Sequence, residues 1–462
     1  MGFEGEFASY EPFRRLRDSE KVKAFESSIV SYKPIKNFEQ FTNELVSKDK
    51  IELSNQRPDL ILAFDGGELI GSIEKGFPGS ELGYVTIATV LIDLKRISQL
   101  EQKEFVSPKE FRETEKVEAK EAVFPGCNVV YNGSKDAKSS LRKRLYEELN
   151  DLKISLSEET LLQTYEYLLD IKLSSSGGSI AKSPIEGFED ADMTYGKGVF
   201  ECPHSGEPLY STDALRLHEL MKPAGSNGEM FGQIRSTIEK LWLIHTLRAF
   251  ESKKWLPTLK RVAFVVDGPL AVFSTSSWLT KPILFELNRI NELQKRINGQ
   301  DMLIIGIEKS GAFLNHLIDL DTRTDGTSDL FPKQSAFLLE DDYIKKYIRF
   351  SESDKPYGLD TYFGRKIFYK TQSGQLVVPN IAHYRDFGTY EENKAFLKST
   401  NISCFPRLGD IMNLLDQLVS SRYPNSVSPL VSAHAEAAIP LNLGKRIFED
   451  IAREIREKSN QW

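Results

Sequence analysis

Two stretches of the chain are short apolar runs that stop at an acidic residue and a glycine. In DLILAFDGG the run ends at Asp65, before Gly66 and Gly67; in VAFVVDGPLAVF it ends at Asp267, before Gly268 and Pro269. Runs of this length, bounded by turn residues, predict strands. ELGYVTIATVLIDL is rich in β-branched residues and follows the first run, so a hairpin is expected with Asp65 at the top of its first strand. DMLIIGIEKSG predicts another strand, and GRKIFYKTQSGQLVV a hairpin turning at Ser-Gly. Elsewhere the apolar spacing is three and four. It predicts helices in SSLRKRLYEELNDLKISLSEETLLQTYEYLLDIKL, in TKPILFELNRINELQKRI and in the closing segments. FGQIRSTIEKLWLIHTLRAFESKKW is apolar nearly all round and is expected to be largely buried.

Strands alternating with helices, plus one early hairpin, predict an α/β protein with a mixed sheet flanked by helices. The pattern divides the chain into a helical N-terminal extension (1–55), a first part of the sheet core (56–104), a mainly helical insertion (105–227), a second part of the core (228–448) and a C-terminal helix end (449–462). SSSGGSIAKSPIEGFED, inside the insertion, reads as a flexible loop by its Ser and Gly content.

Composition narrows the function classes. The 462 residues are 40% hydrophobic and carry a net charge of −7. A general nucleic-acid coat is usually basic, since phosphate contacts dominate its affinity. A nuclease needs only carboxylates for metal and a local basic lining, so acidity does not exclude one. No apolar stretch is long enough to cross a bilayer, and the charged start lacks a signal-peptide core; no membrane association and a cytoplasmic location are expected. Three cysteines, far apart, argue against a disulfide framework. The G-x-x-x-x-G-K-[ST] pattern of an ATP-binding loop is absent.

Asp65 and Asp267 are the leading chemical candidates. An ionised carboxylate is costly inside a core, so it belongs at a strand end, where water, a metal or a helix N-terminus compensates. The competing reading is an ordinary Asp-Gly turn. Two such aspartates on neighbouring strands plus a Glu from a packed helix would make a hard-oxygen cage. Glu239 lies mid-helix before the Asp267 strand; Glu251, nearer the strand, is the alternative. His434, among alanines in SPLVSAHAEAAIP, is either structural or a metal-site residue. Lys309 follows an apolar strand and is placed to contact a phosphate or to close a salt bridge. Arg365, Lys366, Tyr369 and Lys370 interleave charge with aromatics, as in a nucleic-acid track or any amphipathic hairpin. Cys202, His204 and His218 lack the paired spacing of a zinc site.

Taken in order, AFDGG, VVDGPLAVF, IGIEKSGAF, DTYFGRKIFYKT and SPLVSAHAEAAIPLNLG make the chain resemble the NurA nucleases over residues 56–104 and 228–448. The resemblance implies an RNase H-like fold and a DNA nuclease dependent on Mn2+ or Mg2+. It implies Asp65, Asp267, a helix Glu and His434 as metal ligands. Glu239 is taken for that Glu, although Glu251 is closer to the usual spacing from the second aspartate. Tyr369 is the match to a functional Tyr, with Lys309, Arg365 and Lys370 as substrate-binding residues. Gly67 stands where the family usually has Ser. The resemblance further implies a homodimer working on DNA with a HerA-type hexameric ATPase, in DNA end repair or antiviral defence. The alternative from another class is a catalytically silent scaffold of such a ring ATPase.

Overall fold

The computed structural model describes residues 11–29, 38–72, 79–96, 115–155, 157–176, 179–188, 192–194, 196–322, 326, 329–385, 388–418 and 437. The chain divides into two units at Thr42/Asn43. The first contains the helices Glu11–Asp18 and Glu20–Ser28, neither of which buries a residue. The second unit contains the sheet.

Its strands, in chain order, are β1 (Leu45–Ser47), β2 (Leu60–Ser72), β3 (Glu81–Asp93), β4 (Glu115–Pro125), the short pairs β5 (Ser179–Lys182) with β6 (Asp192–Thr194) and β7 (Val199–Glu201) with β8 (Pro208–Tyr210), then β9 (Val262–Asp267), β10 (Leu303–Glu308), β11 (Ser335–Leu338), β12 (Gly364–Lys370) and β13 (Leu376–Ala382). Nine of them form one mixed sheet in the order β1-β11-β12-β13-β10-β9-β2-β3-β4. β2, β3 and β4 are an antiparallel meander. β9 runs parallel to β2, and β10 parallel to β9. Parallel neighbours require crossovers. The helices Ala137–Asp151, Leu161–Ser176 and Gly228–Ser252 lie in the first crossover, and Thr280–Asn298 in the second.

Alternation along the central strands feeds two apolar layers. Leu62, Phe64, Phe264 and Ile304 pack with these crossover helices on one face. Ile61, Ala63, Val265 and Ile305 pack on the other with Phe396, Ile411 and Leu415 from the helices Tyr390–Lys398 and Leu408–Leu418. The Gly228–Ser252 helix is buried along most of its length, as its all-round apolarity predicts. Its Trp242 is fully buried and donates from Nε1 to Thr89 Oγ1 at 2.9 Å.

Two expectations change. Residues 115–125, expected inside a mainly helical insertion, are the third strand of the meander. Ala122 and Phe124 point inward while Glu121 and Val123 are exposed. An edge strand with a charged outer face has the composition of a solvated helix, which hides its period of two. Likewise the extension is not helical throughout: Leu45–Ser47 pairs with β11 at the opposite edge of the sheet. Three residues are too few to show a period. No helix among the described residues is long and apolar enough to cross a membrane.

Candidate active site

The register of β2 against β9 aligns Phe64 with Val266, so the next residue on each strand is an aspartate. Asp65 shares its sheet face with Ile61 and Ala63, and Asp267 shares the same face with Ala263 and Val265. The two carboxyl groups are close enough for Asp267 to raise the Asp65 carboxyl by its charge and by hydrogen bonding. Each also accepts from the backbone of the glycine that follows it: Gly66 N at 2.8 Å to Asp65 Oδ1, and Gly268 N at 3.1 Å to Asp267 Oδ1. Gly268 has φ +75, the left-handed region that suits glycine, and its N also donates to Ile307 O at 2.9 Å.

Glu239 comes to the pair from the opposite sheet face. A Cβ at Gly66 would collide with its Oε1, so the missing side chain lets the helix carboxylate reach the strand end. Glu239 is 4% exposed and bonded to Arg235 and, at 3.2 Å, to Lys240 Nζ. Arg235 also reaches Glu68 and the carbonyl of Gly66, both at 3.3 Å. Lys309 Nζ lies 3.0 Å from Asp267 Oδ1. Asp65 itself is 1% exposed. Burial, then the negative charge of Asp267, push its carboxyl up to about 8; Glu239 adds to this and Lys309 opposes it. Asp65 therefore holds its proton more tightly than an ordinary carboxyl does. Three carboxylates and three cations thus meet at the carboxyl ends of parallel strands, where open α/β sheets form their crevices. A cleft of about 380 Å³ opens there, lined by Arg235, Glu239, Lys240, Asp267, Phe273 and Lys309 among others.

The candidates from sequence separate into two sets. Asp65, Asp267, Glu239 and Lys309 are brought together. Glu251 is not: its carboxylate is clamped by Arg289 at 2.6 and 2.9 Å. Arg365, Lys370 and Tyr369, expected to handle substrate or chemistry, are instead turned into the core. Arg365 donates to the carbonyls of Leu339, Phe396 and Ser399 at 2.7–3.0 Å, and burial pulls its guanidinium down to about 10. Lys370 Nζ is 2.8 Å from both Asp321 and Asp329. The Tyr369 hydroxyl donates to Asp416 at 2.9 Å, and burial raises its pKa. All seven residues of their strand are buried, so its basic residues face no solvent channel. His434 lies outside the described residues. Ala437, three positions on, accepts from Thr86 Oγ1 at 2.6 Å and sits against Gly67, two residues from Asp65. That contact gives the Gly in place of Ser a physical basis, because a Cβ at Gly67 would strike the Ala437 carbonyl.

Sequence reasoning missed Arg235, Lys240 and Phe273. Arg235 was findable: it stands four residues before Glu239, the spacing of a helical ion pair. Lys240 was not, because adjacent helical residues do not normally face one another.

As a donor set, Asp65, Asp267 and Glu239 fit a hard divalent cation: all are oxygen ligands, and a cation among them would offset the acidic neighbours that, after burial, raise the Asp65 carboxyl. Among the described residues, no group of three or more carboxylate, imidazole or thiol side chains stands ready to hold an ion. Glu239 is committed to Arg235 and Lys240.

Fold and site together define an α/β protein with a mixed carboxylate and cation cleft at the carboxyl ends of its central parallel strands. A NurA domain matches residues 59–439, most of the chain, and the chain belongs to the NurA family, a family of nucleases. It is similar to the crystal structure of the NurA nuclease from Sulfolobus solfataricus at 10% identity over 98% of each chain, with a TM-score of 0.34. A second crystal structure of NurA is similar at 11% identity over 93% of this chain and 94% of that one, with a TM-score of 0.28. No curated protein matches.

Proposed function

We propose that this chain is a DNA nuclease dependent on Mn2+ or Mg2+, with Asp65, Asp267, Glu239 and His434 as the residues that hold the cation. The observation that carries the reading is the strand register that sets Asp65 beside Asp267, 202 positions apart, with the Glu239 carboxylate packed against the neighbouring Gly66. The order β4-β3-β2-β9-β10, with β9 and β10 parallel to β2, supports the RNase H-like architecture the resemblance implies. A divalent cation would supply Lewis acidity for phosphodiester hydrolysis.

The chain's own groups do the rest. Loss of the proton from Asp65 frees its carboxylate to ligate beside Asp267. Lys309, Lys240 and Arg235 present cationic groups to the non-bridging oxygens of a phosphate in the cleft and offset charge as it builds. The backbone at Gly268 lets that phosphate come close. Restricting cation to one cleft fits a chain that is acidic overall. Action as a homodimer with a HerA-type hexameric ATPase, in DNA end repair or antiviral defence, extends the reading on the strength of the resemblance.

The test is cleavage of linear DNA with Mn2+ by Asp65→Asn and Asp267→Asn, alone and with the ring ATPase. Each variant should lose activity while melting normally. Full cleavage by either variant would remove the assignment.

A further inference from the structure

Phe273 is the aromatic side chain in the wall of the cleft that contains Glu239, Lys240, Asp267 and Lys309. It is half-buried. The segment that carries it is fastened at several points. Gly268 N donates to Ile307 O at 2.9 Å, Val272 N donates to Thr361 O at 2.8 Å, and Ala271 bridges to Tyr362. The Phe273 ring meets the Tyr362 ring at 5.6 Å between centroids and 80°. Tyr362 is held in turn by the Tyr357 hydroxyl at 3.0 Å and lies 4.7 Å from the buried Lys366 ammonium. Ser274, the next residue, has φ +61, a left-handed conformation that a serine adopts only against steric cost.

A rigid aromatic beside cations is the pattern by which proteins hold single-stranded nucleic acid: the cations take the phosphate and the ring takes a base face. The cleft, at about 380 Å³, is near the lower end of ligand pockets and suits one nucleotide-sized group. A base inside a duplex has both faces covered by its neighbours and offers none to a ring. We propose that Phe273 stacks on one unpaired nucleobase while Lys309, Lys240 and Arg235 hold its phosphate, so that the cleft accepts a nucleotide only after it has left the duplex. This rests on the nuclease reading of the same site.

The test uses equilibrium binding without divalent metal, so that it does not depend on cleavage. The probes are a fluorescent thymidine oligonucleotide and the same sugar-phosphate chain with every base removed. Phe273→Leu should bind the thymidine chain roughly 5- to 100-fold more weakly than the wild type. Phe273→Trp should bind it at least as well as the wild type, and all three proteins should bind the base-free chain equally. Equal affinity of the wild type and Phe273→Leu for the thymidine chain would overturn the proposal, as would an equal loss on both probes. Cleavage by Asp267→Asn, measured alongside, keeps the two readings apart. If Asp267→Asn still cuts, the catalytic assignment fails whatever Phe273 does. If it does not cut and Phe273→Leu binds normally, the stacking assignment alone fails.

Discussion

Asp65, in β2 where its pairing with β9 stops, Asp267 at the end of β9, and the cations of β12 stand on one sheet, with β13 and β10 between β9 and β12. Both regions combine charge with apolar strand, and both looked chemical in sequence. In β12 every charge is spent inside the protein. Arg365 is bonded to backbone carbonyls and Lys370 to two aspartates, with nothing left to offer a ligand. Around the two aspartates the balance differs. Burial, then the acidic neighbours, raise the Asp65 carboxyl, and the surrounding cations line an open cleft. A charge with no outlet must be matched inside the protein to fold at all; a charge beside a cleft can be left for a ligand to match.

Substitutions should break this contrast cleanly. The largest effect on activity is expected from Asp267→Asn, with cleavage falling on the order of 10²–10⁴-fold and thermal stability preserved, read by initial rates and a melting curve. Arg365→Met should do the reverse. Leaving several buried carbonyls without a donor should cost about 3–5 kcal/mol in denaturant unfolding, while the rate per folded molecule is unchanged. Asp65 gives the next effect, in metal-free buffer. Its folded pKa of about 8 lies above the unfolded value near 4, so the native state holds a proton the unfolded chain has released. Its contribution to stability is therefore fully present below about pH 4 and is lost as pH rises towards 8. Asp65→Asn should flatten that decline, and a decline as steep as the wild type's would show that Asp65 is not its source. The smallest effect is expected from Glu251→Gln. Its bridge to Arg289 is about one-third exposed, so stability should change by about 1 kcal/mol or less and cleavage not at all. A large loss of cleavage would return Glu251 to the site.

The strands that carry the aspartates were legible from their continuous apolar runs, but β2, expected to top out at Asp65, runs on through Gly66 and Gly67 to Ser72 in pairing with β3. The buried Gly228–Ser252 helix was legible too. The convergence of Asp65 with Asp267 was legible only as a shared pattern; the parallel pairing that realises it is non-local and leaves no mark in either segment. Edge strand β4 was hidden by its charged outer face, and β1 by its length. Arg365, Tyr369 and Lys370 misled because residue type shows what a side chain can bond, not whether a carbonyl or carboxylate already takes it. Phe273 was invisible for the opposite reason: an aromatic in an apolar run reads as core, and only the non-local pairing of its segment with Thr361 and Tyr362 sets it in the cleft wall.

The most direct measurement is a crystal soaked in Mn2+ and examined by anomalous scattering. The account predicts an ion within ligating distance of both Asp65 and Asp267, with Glu239 released from Arg235 to join them. Ions bound elsewhere on the surface, with none touching the two aspartates, would contradict it.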